Sequence, residues 1–134
     1  MKLLSRNTDY AVRALCYIAN EKKRMVSVTE LVTALKIPRP FLRKILQTLN
    51  KKEILESHKG VGGGFKLAKR ASNVSLARLI EAFQGPFTLN ECYFKKEVCP
   101  NKPSCPLKNK IDAIERAVFK ELSNITIGSI MKGG

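Results

Sequence analysis

The sequence has a single histidine and few acidic residues for its length. His58 stands between Ser57 and Lys59, and we find no matched carboxylate pair and no nucleophile motif anywhere in the chain. These absences exclude the usual arrangements for acid-base and nucleophilic catalysis, so we expect no enzymatic activity. For His58 itself, a phosphate contact or plain solvation is a simpler role than metal ligation.

The sequence also lacks a hydrophobic run long enough to span a membrane. Charged residues interrupt its N terminus too early for a secretory signal, and no lipidation signal or long amphipathic basic helix is present. We therefore expect a cytoplasmic protein with no membrane partner. In that compartment the four cysteines are expected to be thiols or metal ligands rather than a disulfide framework.

Positive charge, in contrast, is abundant and concentrated. The 134 residues include 25 Lys or Arg and 11 Asp or Glu, which gives a formal net charge of +14. Ten of the basic residues but only two glutamates fall within residues 36–70, so more than half of the net charge lies there. The length and the 44% hydrophobic content suit one compact domain. Its charge favours a polyanion, with nucleic acid before membrane.

Residues 27–49 have the pattern of a helix-turn-helix. Ser27 and Glu30 have capping-box spacing at the start of the first helix. Its expected buried stripe consists of Leu31, Ala34 and Leu35. Pro38 and Pro40 mark the turn, and Pro40 suits the first turn of the second helix, which we expect to start there.

The second helix is amphipathic in a way that is typical of a recognition helix. We expect its buried face to consist of Phe41, Leu42, Ile45, Leu46 and Leu49. The residues expected to contact DNA from this helix and its turn are Arg39, Pro40, Arg43, Lys44 and Gln47.

A glycine-rich hairpin is predicted directly after this helix, over residues 54–69. Glycines at its tip supply the positive backbone dihedrals of a tight turn. The segment has no Lys-Ser or Lys-Thr to close a nucleotide-binding loop, and Phe65-Lys66-Leu67 has strand character. We therefore interpret it as a wing in which Lys59, Gly60 and Lys66 reach phosphate or the minor groove.

Three further helices are predicted. The first spans Ser5 to Asn20 with Val12, Leu15, Cys16 and Ala19 inward, and another spans Val74 to Phe83 before Gly85-Pro86. The last starts at Pro106, and its apolar seam runs through Leu107, Ile111, Ile114, Val118, Leu122 and Ile125. A long apolar seam needs a partner, so we expect a homodimer, although packing on the first helix is the alternative.

The predicted fold is mainly α with a small β-wing: a winged helix-turn-helix domain plus a long C-terminal dimerisation helix. The expected divisions are a DNA-binding domain at 1–86, a cysteine-containing loop at 87–105, and a dimerisation helix with the C-terminal segment at 106–134. Met25-Val26 could add a minor strand, and residues 126–131 are expected to dock back as a last turn.

Cys92, Cys99 and Cys105 lie in the loop that separates the last two predicted helices. Their irregular spacing differs from the paired C-x-x-C knuckles of zinc ribbons, and no histidine lies nearby. Soft thiolates favour an iron-sulfur cluster, zinc or copper(I). From spacing alone, a cluster, structural zinc, and metal-free thiols or a redox disulfide all stay open.

Several segments together carry a family resemblance: Thr8–Ala11, Pro40–Leu46 with Leu49, Gly60–Lys69, the three cysteines, and Asn124–Gly128. With them the chain resembles the Rrf-two type (IscR/NsrR-like) bacterial winged-helix transcriptional regulators along nearly its whole length. The resemblance implies a homodimer on a palindromic double-stranded DNA operator. It further implies that affinity follows the state of a cluster, 2Fe-2S or 4Fe-4S, bound by Cys92, Cys99 and Cys105.

The fourth ligand separates the branches of this family. In IscR-like members a histidine follows the last cysteine by three positions, where this chain has Lys108. In the nitric-oxide-sensing branch a carboxylate from the partner subunit's first helix serves, and Asp9 matches that place. The resemblance therefore implies Asp9 as the fourth ligand. Some relatives have acidic or amide residues where this chain has Arg43-Lys44, so no operator sequence is transferred.

The resulting prediction is a dimeric DNA-binding regulator, acting as a repressor, that senses redox state, nitric oxide or cluster supply. The alternative is the same regulator without a cluster, switched by thiol oxidation or holding structural zinc. A rival interpretation is a small electron-transfer protein that uses the cluster, but it does not explain the recognition helix and the wing. An adaptor for RNA or protein with structural zinc is another rival, and a preference for unpaired RNA would distinguish it.

Overall fold

The computed structural model describes residues 3–21, 25–88 and 106–132. Within them the elements are α1 (Arg6–Asn20), α2 (Val28–Leu35), α3 (Arg39–Lys51), β1 (Leu55–His58), β2 (Gly64–Leu67), a 3-10 helix (Ala71–Asn73), α4 (Leu76–Gln84), α5 (Pro106–Asn124) and α6 (Ile127–Met131). This order confirms the predicted fold, a mainly helical winged helix-turn-helix with a long helix near the C terminus.

Helix α1 is the hub of the domain, since α2, α3, α4, α6 and β2 all contact it. Ser5 caps its start, where the hydroxyl oxygen accepts from the Thr8 amide at 3.2 Å. The buried apolar side chains of α1 are Ala11, Ala14, Leu15, Ile18 and Ala19.

Two residues of the predicted buried face, Leu15 and Ala19, are buried. The other two, Val12 and Cys16, are only partly buried and pack at the edge of the same core. Burial is still enough to raise the pKa of the Cys16 thiol, by desolvation of its charged form.

Helix α2 starts as predicted and is tied to α1. The Ser27 hydroxyl oxygen accepts from the Glu30 amide at 3.1 Å, which is one half of the predicted capping box. The Glu30 carboxylate accepts from the Tyr17 hydroxyl at 2.7 Å. The prediction that Ala34 is buried is wrong. This short helix packs along one edge, which buries Leu31 completely and leaves Ala34 exposed.

Helix α3 begins at Arg39, next to the predicted Pro40, and its buried side chains are Leu42, Ile45, Leu46 and Leu49 as expected. The prediction that Phe41 is also buried is wrong, since Phe41 is 40% exposed. At 3.6 residues per turn, Phe41 lies about a quarter turn from the centre of the buried face. Its ring therefore sits at the boundary between core and solvent.

The wing is an antiparallel hairpin whose register pairs Leu55 with Leu67 and His58 with Gly64. Val26 joins it through an isolated antiparallel bridge to Phe65, with N–O distances of 2.9 and 2.8 Å, so the expected minor strand is a single bridged residue. This bridge fixes the base of the wing to the segment that enters α2.

Helix α4 ends at Gly85, as the Gly-Pro pair predicted, with a φ of 79° at that glycine. After α5, Thr126 bridges back to Ser75, and Ile127 is fully buried in the same core as α1 and α3. The expected docking of the C-terminal turn is confirmed. The three-part division at residues 86 and 105 stays a prediction.

Helix α5 packs against α4, and among its described side chains only Leu122 is fully buried. Leu107 is 71% exposed and Ile114 is 53% exposed. Over the described ranges, no helix combines the length and apolarity needed to cross a membrane.

The close approach of Gly64 to Val26 gives a stability prediction. A Cβ at Gly64 would lie 2.5 Å from the Val26 carbonyl oxygen, and φ there is +147°. We expect Gly64→Ala to lower the free energy of unfolding by about 3 kcal/mol, measured by urea denaturation.

Gly62→Ala is the matched control. Gly62 also has positive φ, at +76°, but nothing lies within 4 Å of an added Cβ, so about 1 kcal/mol is expected. Equal losses in the two variants would contradict the role assigned to the Val26 contact.

Candidate nucleic-acid interface

The solvent face of α3 gathers all of the residues that the sequence predicted for it. Arg39, Pro40, Arg43, Lys44 and Gln47 are all exposed. On the opposite face, four buried leucine and isoleucine side chains hold the helix on the core. The polar face is thus presented by a rigid support, as a helix that enters a groove requires.

The start of α3 carries positive charge without local compensation from its own first turn. That turn has no acidic residue, and no side chain caps its N terminus. The Arg39 guanidinium donates from Nη2 to the Thr29 hydroxyl at 3.2 Å, which links the two helices of the helix-turn-helix. Arg39 is therefore oriented by α2 as well as by its own helix.

The wing places its predicted residues at the surface beside α3. Lys59, Gly60 and Lys66 are exposed. Lys66 Nζ lies 4.0 Å from Glu56 Oε2, and His58 Nε2 lies 3.4 Å from the same oxygen. Exposed pairs of this kind contribute little to stability, so they leave the side chains able to exchange partners.

Sequence reasoning missed two features of the wing. Val61 is fully exposed at the tip, between two glycines with positive φ. Glu56 brings a negative charge into a basic hairpin, next to Lys66. Alternation along β1 indicates that Glu56 faces solvent. Only the strand register places it opposite Lys66.

A contact between α1 and α3 was also missed. The Arg6 guanidinium carbon lies 4.8 Å from the centre of the Phe41 ring. These residues are far apart in the sequence, and neither belongs to a motif that predicts their contact. Their pairing extends the positive surface of α3 to the first turn of α1.

Cys92, Cys99 and Cys105 lie outside the residues that the structure describes, so their assignment as cluster ligands stays a prediction. Within the described residues, no group of three or more His, Cys, Asp or Glu side chains is close enough to hold a metal ion. At the position of the histidine of the IscR-like branch, Lys108 forms an ion pair with Asp112 at 2.7 Å.

The candidate fourth ligand, Asp9, lies in the first turn of α1 with its side chain 45% exposed. Its Oδ2 accepts from Arg13 Nε at 2.9 Å, one helical turn on. The carboxylate is thus at the surface, where another chain could reach it. Its role as a ligand stays a prediction.

The end of α4 is fastened to the start of α1 by one side chain. The Gln84 carboxamide oxygen accepts from the Ser5 amide at 2.9 Å and from the Thr8 hydroxyl at 2.8 Å. Its nitrogen donates to the Leu3 carbonyl oxygen at 3.4 Å. The chain therefore enters the cysteine-containing segment from a point that is fixed to α1.

Comparison with known proteins agrees with this geometry. Residues 4–133 match the Rrf2 family, described as an iron-dependent transcriptional regulator. The chain is 33% identical over 131 residues to the HTH-type transcriptional regulator NsrR of Oceanobacillus iheyensis, covering 96% of this chain and 89% of that protein.

Solved structures show the same fold at low sequence identity. CymR (YrzC), the global cysteine regulator of B. subtilis, superposes with a TM-score of 0.83 at 17% identity and covers 100% of this chain and 99% of its own. T. potens IscR has a TM-score of 0.76 at 19% identity, over 98% and 87% of the two chains. The chain belongs to the Rrf2 family of transcriptional regulators.

Proposed function

We propose that this protein is a dimeric repressor whose affinity for a palindromic DNA operator is controlled by an iron-sulfur cluster. The exposed basic face of α3 beside the wing is the observation that carries the DNA-binding part. The three loop cysteines of an Rrf2-family chain carry the cluster part. Redox state, nitric oxide or cluster supply is the signal.

In this proposal α3 enters the major groove. Arg39, Arg43 and Lys44 reach base edges or flanking phosphates, and Gln47 can pair bidentately with adenine. Pro40 stiffens the start of the helix where base contacts concentrate. Lys59, Gly60 and Lys66 of the wing contact phosphate or the adjacent minor groove.

The partner of α5 is a second copy of this chain. The exposed side chains of Leu107 and Ile114 form an apolar stripe along a helix in which, among the described side chains, only Leu122 is buried. Two-fold pairing would cover both stripes at once and present two α3 helices to one operator. Half-sites in successive major grooves require these helices to lie about 34 Å apart.

The donor chemistry suits a cluster. Cys92, Cys99 and Cys105 supply three thiolates, which are the common ligands of iron-sulfur centres. Cys105 directly precedes Pro106, the first residue of α5, where the helix dipole favours a thiolate. Asp9 of the partner subunit would supply the fourth, harder ligand. A bound cluster would then supply a redox-sensitive link between the loop and the partner subunit's α1.

Contacts at the entrance to the loop support its coupling to DNA binding. Gln84, just before the loop, accepts a hydrogen bond from Thr8 of α1. Thr8 directly precedes Asp9, so the entrance to the loop is held next to the candidate ligand on the same chain. Beyond Gln84, Phe87 packs on Phe119 of α5 with 5.8 Å between ring centres. A change in the loop therefore acts on the relative placement of α1 and α5, and with it on the spacing of the two α3 helices.

A second proposal keeps the DNA-binding function and removes the cluster. One structural neighbour that matches the whole chain is named a global cysteine regulator. In this version the loop cysteines change state by thiol oxidation or hold structural zinc. Cluster content separates the two proposals.

The DNA interface is tested by Arg43→Ala. Since Arg43 is exposed on α3 and reaches the operator in this proposal, its loss should cost about 1–3 kcal/mol of binding free energy on a cognate site and relax specificity there. Operator fragments selected from a random library provide the site, and titration by fluorescence anisotropy provides the affinity.

Lys120→Ala removes the same charge from α5 and should leave specificity unchanged, because α5 packs on α4 and belongs to neither the helix-turn-helix nor the wing. The wild-type protein should bind as two chains per operator. An unchanged footprint for Arg43→Ala would place that residue off the interface, and one chain per operator would contradict the dimer.

The cluster is tested on anaerobically purified protein by visible absorption together with iron, sulfide and zinc content. We expect charge-transfer bands with stoichiometric iron and sulfide, and their loss in Cys99→Ala. A colourless wild-type protein that holds zinc or no metal after attempted reconstitution would overturn the cluster and support the second proposal.

The fourth ligand is tested by Asp9→Asn, which keeps the size of the side chain and removes its charge. Cluster loading should fall and the absorption bands should shift, because an amide is a poorer ligand than a carboxylate. Asp112→Asn is the control: it removes the charge of a comparable ion pair, between Lys108 and Asp112 one turn apart on α5. It should change neither cluster loading nor the absorption bands. Identical spectra for Asp9→Asn and the wild type would remove Asp9 from the ligand set.

A further inference from the structure

We propose that Arg6, in the first turn of α1, is a further DNA-contacting residue that binds phosphate on the flank of the recognition helix. The inference rests on the proposed docking of α3 in the major groove. It extends the interface beyond the helix-turn-helix and the wing, to a helix that otherwise serves as the core of the domain.

The position of Arg6 is set by a contact with the recognition helix itself. Its guanidinium carbon lies 4.8 Å from the centre of the Phe41 ring, a distance at which a cation is attracted to the face of an aromatic ring. Both side chains are exposed. A guanidinium that stacks on a ring keeps its N–H groups at the ring's edge, where they can donate to a phosphate oxygen.

The contact with Arg6 gives a reason for the exposure of the Phe41 ring. Phe41 lies at the boundary of the buried face of α3, one helical turn before Lys44 on the polar face. A partly exposed phenylalanine adds little to the core. As a platform it holds a basic group next to the residues that enter the groove.

The first turn of α1 is rigid enough to make this placement specific. The Ser5 amide and the Thr8 hydroxyl both donate to Gln84, and Thr8 is completely buried. Arg6 lies between these two anchored residues. Its backbone is therefore fixed relative to the domain, and its side chain is fixed by Phe41.

Local helix stability does not account for a cation at this site. Arg6 is the first residue of α1, where the helix dipole disfavours positive charge. An acidic or neutral residue would suit that position better. A nearby phosphate would make the Arg6 charge favourable at this position, because a phosphate pairs with the guanidinium and is itself favoured at a helix N terminus.

The geometry of the groove completes the argument. A helix with its side chains is about as wide as the major groove of B-DNA, at about 12 Å, so residues on both flanks of the helix meet the phosphates of the groove walls. Arg39 is held on the α2 side of α3 through Thr29. Arg6 is held on the α1 side through Phe41, so each wall meets one oriented guanidinium.

The test is the salt dependence of binding to a mixed-sequence duplex, for which no operator need be known. Each lost phosphate contact lowers the slope of log K against log salt by about 0.9. We expect Arg6→Gln to lower the slope by about that amount per bound chain and to weaken cognate and mixed duplexes equally. Arg6→Lys keeps the charge and should restore most of the slope.

Lys120→Gln on α5 is the control for net charge and should leave the slope unchanged. If Arg6 only covered Phe41, Arg6→Gln would lower the free energy of unfolding and leave the slope at its wild-type value, and this result would overturn the inference. Wild-type protein without salt-dependent binding would overturn the proposed function with it. If Arg43→Ala weakened DNA binding and Arg6→Gln did not, only the Arg6 assignment would be overturned.

Discussion

The burial of α1 is the constraint on which the rest of the structure depends. Its small buried residues, Ala11 and Ala14, let neighbouring helices approach closely, and the larger Leu15 and Ile18 fill the space between those helices. Because α2, α3, α4, α6 and β2 all rest on this one helix, α3, the wing and the α4 end that leads into the cysteine-containing segment share a single reference frame. A displacement of α1 would move all of them.

The charge distribution follows from this arrangement. The exposed cationic side chains of α3 repel one another, and the first turn of the helix has no acidic residue to offset that repulsion. Four buried aliphatic side chains supply the stabilisation instead, so the polar face is left unneutralised for an external anion. The core thus carries a surface whose positive charges repel one another and that suits an anionic partner.

Local patterns were sufficient for much of this architecture. The one-and-four spacing of Leu42, Ile45, Leu46 and Leu49 predicted the orientation of α3, and with it most of the exposed set. The glycines placed the wing, and Ser5 and Ser27 placed the starts of two helices. In each case the physical cause lies within a few residues of its effect.

The remaining features depend on contacts between distant residues, which no local pattern reports. Phe41 fits the apolar spacing of α3 but lies at the edge of its buried face. Whether a side chain at such an edge is buried depends on which distant residue packs beside it. Here the neighbour is a guanidinium from α1. Gln84 gave no signal at all, since its partners lie at the other end of the winged domain. Cysteine spacing indicates soft-metal or thiol chemistry but does not choose between them, because iron and zinc share thiolate ligands.

The attachment of α5 indicates how a change in the loop would reach the winged domain. Leu122 buries its C-terminal end, and Ile127, just beyond the helix, is buried too, whereas exposure rises towards the N terminus of α5, through Ile114 to Leu107. Phe119 supports the middle of the helix on Phe87. A helix of 19 residues is about 28 Å long, so a small rotation about the buried end moves the opposite end by several times the displacement near the pivot. The cysteine-containing segment joins α5 at that opposite end, directly before Pro106. A change in the loop would therefore act on the exposed end of α5, and Leu122 would pass it to α4, which packs on α1.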